Sequence, residues 1–262
     1  MISGCPCLQE LAIVFPYKLH QLHFTAPSIE KLELEFSTES GSAQDRYYSL
    51  DCPNLKILQI EDVLLGNLQI IDVSSVRKAI IRGSFRVDLP SNEQDQFEIL
   101  LGKFQNAEVF YWGDNTYLQL EHCGNEKLAF QKNTWTRLAL RSGARGSCLL
   151  GVCRLLRNSL YLQQLIIYAD VDFICDCNML LYELSSPCVM RYLKIVTILN
   201  FEKSCQPLLQ LIEFLLKSAV NLDELVIVCN RKDRLLSIEG HAFMMKLLSF
   251  RRASQNARVV FD

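Results

Sequence analysis

The stretch Asp51-Cys52-Pro53-Asn54-Leu55-Lys56-Ile57-Leu58-Gln59-Ile60-Glu61 decides how the rest of the chain is read. A Cys-Pro-Asn turn signal leads into a short run with apolar residues at Leu55, Leu58 and Ile60. Side chains alternate faces along a strand, so Leu58 and Ile60 point one way while Ile57, Gln59 and Glu61 point the other. Leu55 turns inward where the strand begins. Taking Leu55 as position 1 defines a template that is apolar at positions 1, 4 and 6.

That template recurs nine times. Upstream it fits Leu8-Leu11-Ile13 and Ile29-Leu32-Leu34. Downstream it fits Val76-Ala79-Ile81, Ala107-Phe110-Trp112, Trp135-Leu138-Leu140, Leu162-Leu165-Ile167, Leu193-Val196-Ile198 and Leu222-Leu225-Ile227. Successive starts lie 21, 26, 21, 31, 28, 27, 31 and 29 residues apart. One such unit cannot bury three large apolar groups, whereas stacked neighbours form a continuous core beside a parallel sheet. Most intervals lie in or near the roughly 20–29 residues of leucine-rich repeats. The expected fold is therefore an α/β leucine-rich-repeat solenoid, a horseshoe with a parallel sheet on its concave face and helices or irregular loops on its convex face.

The links between templates divide the chain. Up to about residue 87 they read as short irregular segments with turn residues such as Pro16, Pro27, Gly41-Ser42 and Cys52-Pro53. Beyond that, helices are expected. Ser91 and Gln94 form a capping box before Phe97, Leu100, Leu101 and Phe104. Ser147 caps a second helix burying Leu149, Val152, Leu155 and Leu156. A third spans about Gln206 to Ser218, with Pro207 in its first turn and a stripe of Leu208, Leu211, Ile212, Leu215 and Leu216. A fourth runs from about His241 to Arg252 with Phe243, Met244, Leu247 and Leu248 inward, and Ala257–Phe261 reads as a closing strand.

Half of the residues are hydrophobic and 21% are charged, which is a globular composition rather than a disordered one. A net charge of −2 gives no general attraction to nucleic acid or to an anionic membrane, so neither is expected as a partner. No run approaches the ~18–20 apolar residues that span a bilayer. The opening Met1–Leu11 has neither the basic start nor the apolar core of a secretory signal. Eleven cysteines, odd in number and scattered through apolar contexts, fit reduced thiols and a cytoplasmic or nuclear setting.

Several segments resemble plant F-box proteins of the leucine-rich-repeat and FBD-domain type. Ile2-Ser3-Gly4-Cys5-Pro6, before Leu8 and Leu11, is similar to a Ser-Gly-Cys-Pro segment within the repeats of that family, and Asp51–Lys56 repeats the theme. An FBD-like part begins near Cys188. It comprises Leu193-Lys194-Ile195-Val196, Phe201, the helix over Leu208–Leu216, Asn221-Leu222 with Leu225, and the tail Leu248–Ser254. The resemblance implies irregular repeats over residues 1–187 and FBD-like repeats with a cap over 188–262. It further implies the substrate-recognition part of a subunit of a cullin-RING (SCF-type) ubiquitin ligase, holding a protein ligand. Family members carry an F-box segment that binds a Skp-type adaptor; none precedes Cys5, so adaptor binding is not expected through this chain alone. The alternative is a truncated or degenerate family member with no adaptor role.

No catalytic, cofactor or metal constellation emerges, and an enzyme is not expected. His20-x-x-His23 lies between two repeat strands without a Cys or carboxylate nearby, and satisfied or surface histidines account for it. Cys5-Pro6-Cys7 and Cys175-Asp176-Cys177 are not paired C-x-x-C modules and read as buried or half-buried thiols. Asp170, Asp172 and Asp176 lack the central glycine of a calcium loop. Gly143–Ser147 lacks a phosphate-loop lysine, and His122 and His241 lack a recognisable relay.

The template also says which residues face out: positions 3, 5 and 7 line up as columns on the open sheet face. Glu33, Glu35 and Glu61 make an early acidic zone. The expected protein-binding set is Lys78, Arg82, Tyr111, Arg137, Arg141, Gln164 and Tyr168, because Arg and Tyr combine large contact area with directed hydrogen bonding. Charge alternation for solubility is the competing account. Ile195, Leu199, Val226 and Val228 face out in the last strands, where cover from helices or a partner is expected.

Overall fold

The structure, a computed structural model, describes residues 5–15, 21–36, 47–64, 68–84, 99–113, 133–142, 147–169, 184–185, 187–200, 206–229 and 238–262. The architecture is α/β and built on parallel strands. Chain contacts divide it into two compact units, Met1–Thr116 and Tyr117–Asp262. The boundary expected after residue 187 falls within the second.

The first unit contains β1 (Glu10–Phe15), β2 (Gln21–Thr25), β3 (Lys31–Phe36), β4 (Tyr47–Asp51), β5 (Ile57–Leu64), β6 (Leu68–Asp72), β7 (Lys78–Ser84) and β8 (Val109–Gly113). The template strands β1, β3, β5, β7 and β8 pair side by side, all parallel. Their register sets position 3 against position 3, as in Glu10 opposite Lys31, Lys31 opposite Ile57, Ile57 opposite Lys78 and Lys78 opposite Val109. Positions 1, 4 and 6 are buried from Ile29 through Trp112, while Leu8, Leu11 and Ile13 of the first strand are only half-buried.

Here the links differ from expectation. Instead of irregular segments they carry β2, β4 and β6, which pair in parallel as a second sheet. Their sequences alternate with period two, Leu22/Phe24, Tyr48/Leu50 and Leu68/Ile70, so an extended return pass has an apolar side to bury. Phe24, Tyr48, Leu50 and Ile70 are buried on it. The Phe36 and Tyr48 rings, 4.6 Å apart, join the two sheets through the core, and Phe15 packs on Phe36 from the neighbouring strand at 5.2 Å.

The second unit contains β9 (Arg137–Ser142), α1 (Ser147–Asn158), β10 (Gln164–Ala169), β11 (Ile195–Leu199), α2 (Gln206–Ser218), β12 (Glu224–Ile227), α3 (Ile238–Leu248) and β13 (Arg258–Phe261). Strands β9 to β13 pair in chain order, all parallel. Val152, Leu155 and Leu156 of α1 and the whole stripe of α2 are buried, as their spacing predicts. Helix α3 starts three residues before His241 and ends at Leu248, four residues short of Arg252. Its buried line runs through Gly240, Phe243 and Leu247; Leu248, one step further round, is exposed rather than inward. In the first unit residues 99–103 are helical, with Leu100, Leu101 and Phe104 buried; Ser91, Gln94 and Phe97 lie outside the described residues.

One backbone device recurs in both units. The carbonyl at position 2 of each template strand accepts the N–H groups of positions 2 and 3 of the next. Gln9 takes Glu30 and Lys31, Glu30 takes Lys56 and Ile57, Lys56 takes Arg77 and Lys78, and Arg77 takes Glu108 and Val109. In the second unit Thr136, Gln163 and Lys194 do the same. Several strands are entered by a tight turn closed from position 1 to the residue three before it: Leu8 to Cys5, Ile29 to Ala26, Leu55 to Cys52, Val76 to Val73, Ala107 to Phe104 and Leu162 to Ser159. Pro6, Pro27 and Pro53 occupy the second turn position, where a fixed φ suits them. Asn54 and Asn221 donate side-chain amides to the turn carbonyls of Pro27 and Arg191 in the preceding repeat, both at 2.8 Å. After β11 the chain leaves through Asn200 at φ 60°, a left-handed conformation that asparagine tolerates.

Cys5 and Cys7 are exposed rather than buried as their sequence context suggests. Cys5 holds the turn position that Cys52 holds later, but among the described residues no strand lies beyond it. Cys52 is fully buried, and burial pushes its thiol up to about 11. At pH 8 roughly one Cys52 side chain in a thousand is then thiolate. Brief maleimide treatment at that pH should label Cys5 and Cys7, and should reach Cys52, Cys153 and Cys229 only after denaturation; peptide mass mapping reads the difference. Leu165→Ala removes a fully buried side chain and should cost about 2–5 kcal/mol in urea unfolding. Leu11→Ala, in the half-buried first strand, should cost about half as much; equal losses would show that the first strand is covered.

Candidate functional site

The expected binding residues stand on the open sheet faces, in two groups. In the first unit Lys78 and Arg82 lie at positions 3 and 7 of β7, and Tyr111 lies at position 5 of β8. Lys78 is exposed; Arg82 and Tyr111 are half-buried. Arg82 is already engaged. Its Nη1 lies 2.5 Å from Glu61 Oε1, which also accepts from Gln59 Nε2 at 2.7 Å, and its guanidinium carbon sits 5.2 Å from the centre of the Tyr111 ring. The ring folds along its own strand over Gly113, where a Cβ would stand 2.4 Å from Tyr111 Cε1. Gly113 thus has a packing reason, and is buried although position 7 faces outward.

The acidic zone is also partly neutralised from within. Lys31 Nζ lies 3.0 Å from Glu33 and 3.7 Å from Glu10. The Glu33 carboxylate on its ammonium, with Glu10 behind, holds Lys31 above the usual lysine range. Such exposed pairs contribute little to stability, so their main effect is to cancel charge.

In the second unit Arg137 and Arg141 are exposed on β9, and Gln164 and Tyr168 are half-buried directly opposite them on β10. Neighbouring strands lie about 4.8 Å apart and four residues span roughly 13 Å, so the four side chains form a compact rectangle. Beyond Tyr168 the same face continues through Leu199 on β11, with Ile166, Thr197 and Val226 in the middle column, all half-buried. Ala139, in that column, is buried among larger neighbours.

Two features at the strand-entry edges were not singled out from the sequence. In the first unit a groove of about 940 Å³ runs along the turns, lined mainly by polar residues such as Gln9, Ser28, Asn54, Ser75 and Asn106. It does not include Lys78, Arg82 or Tyr111. Ion pairs at 2.7 Å, Glu30 with Lys56 and Arg77 with Glu108, flank it. The signal was present: position 2 is polar in all nine templates. At the turn edge of the second unit, Tyr161 and Tyr192 stack with ring centres 6.0 Å apart.

His23 lies on strand β2, not on a helical turn; its Nδ1 is 2.9 Å from Ser49 Oγ and its ring packs on Tyr47 at 5.6 Å. His20, His122, Gly143–Gly146, the Asp170/Asp172/Asp176 cluster and Cys175–Cys177 lie outside the described residues. Among the described residues no group of three or more His, Cys, Asp or Glu could hold a metal ion, and no helix is long and apolar enough to cross a membrane.

Gly113→Ala should drive the Tyr111 ring off its seat and away from Arg82. The expected result is an unchanged circular dichroism spectrum, a loss of about 0.5–1 kcal/mol, and disappearance of the ring-current shift on the Arg82 side chain in NMR spectra. No family model, curated protein or solved structure matches this chain.

Proposed function

We propose that the chain is a non-enzymatic protein-interaction module made of leucine-rich-repeat coils, which holds a protein ligand on its open sheet face. The observation that carries this reading is the rectangle of Arg137, Arg141, Gln164 and Tyr168. Two exposed cations stand opposite an amide and a phenol on paired strands, beside half-buried apolar columns. Arg and Tyr with an apolar surround are the composition of interface anchors. In the first unit Arg82 pairs with Glu61. The repeat intervals and the position 2 hydrogen bonds support leucine-rich-repeat coils, in which this face would be the concave one.

By its resemblance to F-box proteins of the leucine-rich-repeat and FBD type, the ligand is a ubiquitination substrate and the setting the cytosol or nucleus of a plant cell. Arg137→Glu with Arg141→Glu should abolish ligand capture by the immobilised chain from a plant extract, read by quantitative mass spectrometry against the unmodified chain. The melting temperature should not fall. Undiminished capture would sink the assignment, and recovery of a Skp-type adaptor would contradict its absence from this chain's partners.

A further inference from the structure

The residue before position 1 stands at the strand-entry edge, exposed at every described repeat except Ser28, which is half-buried. In the first unit it is Cys7, Ser28, Asn54, Ser75 or Asn106, all small or polar. In the second it is Thr134, then Tyr161, Tyr192 and Asn221, so the aromatics stand at two adjacent positions of the row. The turn itself does not call for an aromatic there, and the two rings remain 52% and 51% exposed. They stack at 27° between planes and so present one continuous surface. Leu160, Val189 and Val220, all exposed, border it. The bridge between Met190 and Ala219 brings the Val220 turn alongside the Tyr192 turn.

We propose that this edge, centred on Tyr161 and Tyr192, binds a short linear segment of another protein that carries an apolar or aromatic pair between acidic residues. Clustered exposed apolar residues mark interaction surfaces, and Tyr is favoured at their centres. The size argues for a segment: the patch offers on the order of a few hundred Å², well short of the ~800 Å² per partner that a folded domain or a second copy buries. The charge sets the flanks. Arg191 and Lys194, both exposed, bracket Tyr192, and Arg157 stands behind with its Nη1 on the Pro187 carbonyl at 3.0 Å. Asp223, one strand further along, is the acid of the position 2 row among the described residues of this unit. Single-stranded nucleic acid also stacks on aromatics, but it needs a groove of cations tracking its backbone, and two exposed cations with an acid beside them do not supply one.

The test is selection of short random displayed peptides on the immobilised full chain, followed by anisotropy titration of the best synthetic peptide. The enriched peptides should share an aromatic, leucine or proline pair flanked by Asp or Glu. Tyr161→Ser with Tyr192→Ser should weaken binding roughly tenfold or more without changing the melting temperature; Tyr192→Ser alone serves if the double variant is destabilised. Arg191→Glu with Lys194→Glu should turn the selected flanks from acidic to basic. Failure to enrich any peptide, indifference to the tyrosine substitutions, or tighter binding of labelled oligothymidine would overturn the proposal. So would peptide binding lost in Arg137→Glu/Arg141→Glu but retained without the tyrosines, which would instead assign it to the sheet face.

Discussion

The peptide group at position 2 is the fixed point on which each repeat is built. Its carbonyl holds two N–H groups of the following repeat, at Gln9, Glu30, Lys56 and Arg77 in the first unit and at Thr136, Gln163 and Lys194 in the second. The chain between these points varies in length from repeat to repeat, yet the strands meet position for position. A slip of one residue would break both bonds and also turn positions 4 and 6 from the core into water. Hydrogen bonding and burial therefore select the same register independently. The entry turn and, at Asn54 and Asn221, a side-chain amide to the previous turn tie down the same edge.

Once that point is fixed, the route back to it is set by length and pattern. A repeat of 21 or 26 residues returns through a second extended pass, and the links before β3, β5 and β7 carry the period-two alternation such a pass requires. The later intervals have room for helices of 12 and 13 residues, close to 20 Å of rise. Val196, Ile198, Leu225 and Ile227 are fully buried, and so is the apolar stripe of α2. A buried polar bridge, Asn133 to Ser159 at 3.0 Å with Ser159 donating on to the Leu155 carbonyl, joins two repeats where Trp135 takes position 1.

Most of this was legible because it repeats. The template located the strands, their register and their inward residues, and Leu58, Leu165 and Ile198 are fully buried as it requires. The second sheet was passed over because Gln21–Thr25 and Leu68–Asp72 are short runs whose alternation is weaker than the template they interrupt. The columns of the sheet face follow from the same numbering; the pairing of Arg82 with Glu61 and the seating of Tyr111 over Gly113 do not. Those depend on rotamers, which a one-dimensional pattern leaves open. Tyr161 and Tyr192 both precede position 1, so their alignment was derivable, whereas their exposure depends on what the neighbouring turns leave uncovered.

The return path also governs what the sheet face is able to do. In the first unit both sheets flank one core, so the outer side of each meets water. Its strands alternate accordingly, with Glu33, Gln59, Glu61 and Arg82 on the open face and charges cancelling between adjacent strands. In the second unit the returning helices carry much of the polar surface, including the Glu213–Lys217 pair one turn apart at 2.6 Å. The sheet face is then released from that requirement, and its columns pass from Arg137 and Arg141 through Tyr168 to Ile166, Leu199, Val226 and Val228. A face that is half apolar and edged by two exposed arginines is costly to leave bare and well composed for contact.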